Sequence, residues 1–143
     1  MKSINIAINK ADVFEAVSLN ADYSSTNVED LKRISTLDVD KDILTRFWKE
    51  TGGNISEKLK TFISIISFSE DIINVVLEVS NAYDDALTSS VETDLYAAIV
   101  AGITAKWFSF TLRDLHQEWE EQMEKLFNRI ISKLCYRKRP VRP

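Results

Sequence analysis

The chain has 143 residues, 45% of them hydrophobic, with a formal net charge of −4. That length suits one domain with its own core, and the apolar share excludes a disordered chain. A single cysteine, Cys135, excludes an intrachain disulfide and fits a reducing compartment.

In chain order, Ile4, Ile6 and Ile8 alternate with polar or small residues and read as a short strand. Asn9 is placed to cap a helix near 10–20 that puts Val13, Phe14 and Val17 on one face. Residues 20–30, rich in Ser, Asn, Asp and Thr, read as a loop, followed by a short helical turn at 28–34. From Asp40, the positions Ile43, Leu44, Phe47, Trp48, Thr51, Ile55, Leu59, Phe62 and Ile63 make one apolar stripe. The stripe keeps its phase through Gly52 and Gly53, so one long helix over 40–63 is predicted. Residues 64–80 are dense in β-branched side chains, and "SED" at 69–71 can turn, which predicts a β-hairpin.

After a loop at 81–90, Ser89 and Glu92 stand at capping-box spacing before a helix near 90–110. Its stripe is Val91, Leu95, Ile99, Ile103, Trp107 and Phe110, and Ala97, Ala98, Ala101, Gly102 and Ala105 let a second element come close. Trp107 and Phe108 are adjacent and cannot point the same way, so one of them is expected at a core edge or in a subunit contact. Thr111 and Asp114 repeat the capping spacing ahead of a last helix near 112–135. Leu115, Trp119, Met123, Leu126, Phe127, Ile130 and Leu134 form its buried side. The expected fold is mainly α, a bundle of about four helices with a β-hairpin. Residues 1–136 form one domain and residues 137–143 a basic arm.

The N-terminus has no continuous apolar run and no cleavage site, and "LYAAIVAGITAKWFSF" is too short and too broken by polar residues to span a bilayer. A soluble intracellular product is expected.

Chemistry is sparse. Asp38, Asp40 and Asp42 alternate as at the start of a calcium loop, but Ile43 stands where Gly is needed and Lys49 where Glu is needed. A helix start with favourable first-turn acids explains them better. His116 is the only histidine and has no partner for a zinc site, and it reads as lying on a solvated helix face. Cys135 reads as a structural thiol and Asp84–Asp85 as turn formers. No phosphate loop occurs. Neither enzymatic activity nor a metal or cofactor is expected.

The end of the chain is different. Arg137, Lys138, Arg139 and Arg142 concentrate four positive charges in seven residues that contain no acid. The remaining fourteen basic and twenty-two acidic residues leave the body at −8. Three readings follow for the tail: a solvated end, a nucleic-acid arm, or a docking arm for an acidic surface. Tyr136 and the four basic residues would make the docking arm.

The order "KADVFEAV", "DKDILTRFWKE", a hairpin, "YDDALTSSVETDLYAAIVAGITAKWFSFT" and "YRKRPVRP" resembles small proteins of the tailed-bacteriophage neck, the head–tail connector or adaptor family. The resemblance covers most of the chain. It implies a virion subunit, assembled in the host cytoplasm, that forms a homo-oligomeric ring between the portal and tail or neck proteins. Hairpins and termini would reach onto neighbouring subunits, and DNA would at most pass through the channel. A tail-terminator or tail-completion protein is the near alternative. A small intracellular regulator that binds nucleic acid through its tail is the alternative from another class.

Overall fold

The structure, a computed structural model, describes residues 2–24, 38–69, 71–109 and 113–136. In chain order the elements are β1 (Lys2–Asn9), α1 (Lys10–Ser24), α2 (Asp38–Lys58), β2 (Ile63–Phe68), β3 (Ile72–Val79), a 3₁₀ turn (Asp85–Leu87), α3 (Thr88–Phe108) and α4 (Arg113–Cys135). The fold is mainly α with a small β element, as the sequence predicts.

The β element is larger than a hairpin. β1 pairs antiparallel with β3, and β3 with β2, giving the order β1-β3-β2. Ile4 faces Leu77, Ile6 faces Val75 and Ile8 faces Ile73. A side-chain period of two then puts all six, with Val79, on one buried face. That burial is what fixes the register, since a one-residue slip would turn the set to solvent. The turn between β2 and β3 is tied by Ser69, whose Oγ accepts from Ile72 N and whose N donates to Ile72 O. The predicted hairpin is therefore part of a three-stranded sheet. β3 is the middle strand, and β1 holds it on the far side.

Asn9 caps α1 as read, its Oδ1 accepting from Ala11 N at 2.9 Å. Val13 and Val17 are buried and Phe14 packs on the core. The helix continues to Ser24, past the predicted loop boundary at 20, because no Gly or Pro stops it there. The predicted turn at 28–34 lies outside the described residues.

α2 runs unbroken through Gly52 and Gly53, as the continuous stripe predicts, and buries Leu44, Phe47, Trp48 and Ile55, with Leu59 buried just past its end. Thr51, also buried, donates its hydroxyl to Phe47 O. The helix stops at Lys58, short of the predicted Ile63. Leu59 O closes a turn by accepting from Phe62 N and Ile63 N, and the β-branched run from Ile63 then pairs with β3.

The Ser89–Glu92 capping box does not form. α3 already begins at Thr88, and no side chain caps its start. The chain enters instead through the 3₁₀ turn, where Asp84 Oδ1 accepts from Ala86 N, which bears out the turn-forming reading of Asp84. α3 is apolar nearly all round because it is the central helix, touched by α1, α2, β1 and α4. This corrects the expectation for Trp107 and Phe108. Both rings are buried within one chain, at 6% and 0% exposure, since α3 has packing partners on more than one side.

α4 packs against α3 along its length. The approach is close at Gly102, where an added Cβ would lie 2.8 Å from Met123 Sδ, so the small-residue reading of this helix holds. Leu126, Phe127, Ile130 and Leu134 are buried as predicted, while Leu115, Trp119 and Met123 are half-buried. Phe110 and Thr111 lie outside the described residues. One hydrophobic cluster draws on both outer and middle strands and all four helices.

Candidate interaction surfaces

Of the residues that suggested chemistry, Asp84 and His116 make structural hydrogen bonds. No group of three or more His, Cys, Asp or Glu that could hold a metal occurs among the described residues. Asp38 begins α2, and Asp40 and Asp42 follow within its first turn and a half. His116 is not on a solvated face. Its Nδ1 lies 2.6 Å from Ala105 O, and because a carbonyl only accepts, Nδ1 is the donor. Its Nε2 lies 3.3 Å from Glu120. The ring thus ties the start of α4 to the last turn of α3. Cys135 is exposed, and Leu134 beside it is buried. No described helix is long and apolar enough to cross a membrane.

Of the proposed docking arm, Tyr136 is exposed, while Arg137, Lys138, Arg139 and Arg142 lie outside the described residues. The structure does show where the arm is rooted. Lys133, in the last turn of α4, donates to Ser90 Oγ and to the buried Asp94, both near the start of α3.

Two surfaces stand out among the described residues. The first is the outer face of the sheet. Its rows across the strands are Ser3–Glu78, Asn5–Val76–Ile65, Ala7–Asn74–Ser67 and Asn9–Ile72. Glu78 is the only charge among them. Ile65 is 60% exposed and Ile72 is exposed beside Asn9. β2, "ISIISF", forms one edge of the sheet without a charge or proline to guard it. A register shift between Ile63 and Ile65 is its one irregularity.

The second is a groove of about 620 Å³ between α1 and α3, lined also by the last residues of β1. α1 supplies Asp12, Glu15, Ala16 and Leu19, and α3 supplies Ser89, Glu92, Thr93 and Tyr96. Both sets follow an i, i+3, i+4, i+7 spacing, so each is one helix face. Three acids and no base line the groove. Tyr96 bridges the walls by donating its hydroxyl to Asp12 O at 2.9 Å. Burial, and next the negative charges of Asp12 and Glu15, push the Tyr96 phenol above its ordinary value. Leu19 stands on the groove, 64% exposed. The sequence reading followed apolar stripes and missed this groove. The signal was present in the polar positions that share the same period on the other side of Val13 and Val17.

The chain matches no family model, no curated protein and no solved structure.

Proposed function

We propose that this chain is a structural subunit of a larger assembly, and that the assembly is a ring in the neck of a tailed-phage virion, between portal and tail. The observation that supports an assembly role is the nearly uncharged outer face of the sheet and its β2 edge, which carries no charge or proline. In a chain where 28% of residues are charged, ten cross-strand positions on this face hold a single charge. A strand edge offers unpaired N–H and C=O groups that a neighbouring chain can complete. The neck assignment rests on the resemblance described above, and it is consistent with a helical body and a small sheet. The ring would be homo-oligomeric, with portal and tail or neck proteins as its further partners.

The test is sedimentation velocity and electron microscopy of the concentrated protein, alone and with Ile65→Lys. The expected result is a defined closed oligomer for the native chain and smaller species for the variant, with unchanged circular dichroism. A native chain that stays monomeric at high concentration and in the presence of portal protein would sink this reading.

A further inference from the structure

We propose that the basic C-terminal segment, residues 137–143, rests in the acidic groove between α1 and α3 of its own chain. This goes beyond the assembly reading and stands whether or not the chain forms a ring.

Charge is the first argument. Asp12, Glu15 and Glu92 line the groove with no basic residue among them, and the segment has four bases and no acid. Arginine's planar fork suits carboxylates, and three of the four bases are arginine. The apolar match is the second. Ala16 and the exposed Leu19 give the groove an apolar side, and Pro140, Val141 and Pro143 alternate with the bases of the segment.

Reach allows this groove, and existing pairing sets it apart from the other acidic depression. Lys133 is fastened to Ser90 and Asp94, and Ser90 adjoins Ser89 in the groove wall. The segment therefore leaves from the end of α3 that carries Ser89 of the groove wall. Seven extended residues span about 23–25 Å. A helix is about 10 Å across, and the Ser89 to Tyr96 wall is about 10 Å long at 1.5 Å per residue. The segment is long enough to round the end of α3 and lie along that wall. The other acidic depression, around Glu120, Glu121 and Glu124, also contains Lys125, and its Glu124 is already paired with Lys58 and its Glu120 lies on His116. A tether this short also gives the groove a millimolar local concentration of the segment, on the order of what modest ionic contacts need.

The consequence is a self-covered subunit. The arm that could dock on a partner occupies its own groove first, and a partner must offer a better acidic site to draw it out.

The experiment is zero-length carbodiimide cross-linking of the full chain, mixed equally from unlabelled and ¹⁵N-labelled protein and read by mass spectrometry. Lys138 should be joined to Asp12, Glu15 or Glu92 in pairs of a single isotope composition. The yield should fall several-fold in high salt, and likewise when Arg137, Arg139 and Arg142 are all changed to serine in a chain that keeps Lys138. The absence of these links overturns the proposal. So does mixed isotope composition in the proportion that random exchange between copies dictates, since the groove would then take another copy's tail.

Discussion

Two glycines of the same chain carry opposite expectations. Gly53 lies mid-helix in α2 with ordinary helical geometry, and a Cβ there would meet nothing within 4 Å. Gly53→Ala should therefore raise stability by about 0.5–1 kcal/mol, through helix propensity and a less flexible unfolded chain. A urea titration checks it, and a loss of stability would mean that the helix needs this glycine. At Gly102 the added Cβ would press on Met123 Sδ, so there the same propensity gain is set against a displaced thioether. Tyr96 shows how a single group couples stability to pH. Its proton is held more tightly in the fold than the value of 10.0 for an unfolded chain, chiefly through burial. The contribution is therefore complete below pH 10 and is lost as pH rises through the higher folded value. The phenolate also cannot donate to Asp12 O. Tyr96→Phe should cost about 0.5–1.5 kcal/mol near neutral pH. The gap between native and variant chains should close as the solution is made strongly alkaline. A gap that stays constant with pH would show that the hydroxyl contributes nothing through its proton.

At the scale of elements, α3 and α4 are held at both ends by polar contacts that the apolar stripes do not announce. His116 meets Ala105 O at one end, and Lys133 meets Asp94 and Ser90 at the other. Asp94 is 6% exposed, so removing its carboxylate strands a half-buried ammonium group. Asp94→Ala should cost about 1–3 kcal/mol by thermal or chemical unfolding. Lys133→Met should cost more, because it leaves the buried Asp94 carboxylate without its ammonium partner, whereas the ammonium left by Asp94→Ala is the more exposed of the two and keeps Ser90 Oγ. Equal losses in the two variants would argue that the pair matters only as packing. These contacts explain what was legible and what was not. The stripes of α2, α3 and α4 are periodic and local, so position along the chain predicts them. The end of α2 at Lys58 was not, because a helical phase continues through Leu59, Phe62 and Ile63 while the pull on those residues comes from β3. The start of α3 was misread for a similar reason: Ser89 and Glu92 have the spacing of a cap, but Asp84 and the 3₁₀ turn place the helix boundary before them.

At the scale of the whole molecule, the first element is stitched to the middle of the chain and the last helix is packed on the central one. β1 pairs with β3, about seventy residues away, and that pairing is the part of the fold least visible in the sequence. Ile4, Ile6 and Ile8 announce a strand but not its partner, and the acidic groove exists only because β1, α1 and α3 are brought together. Since one hydrophobic cluster spans all of these elements, the chain should unfold as a single unit. The three tryptophans test this well because they sit on different helices: Trp48 on α2, Trp107 on α3 and Trp119 on α4. Trp48 touches Phe14 of α1 edge-on at 6.3 Å, so it reports on the N-terminal helices, whereas Trp119 reports on the C-terminal one. Three variants, each with two tryptophans changed to phenylalanine, would leave one reporter apiece. Each will be less stable than the native chain by its own amount, so each is compared with its own circular dichroism. In every variant the fluorescence and helix signals should share one urea midpoint and one slope. If the Trp48 reporter alone moved before the helix signal of its own variant, α1 and α2 would be a separately melting layer. The groove would then open before the α3–α4 pair came apart.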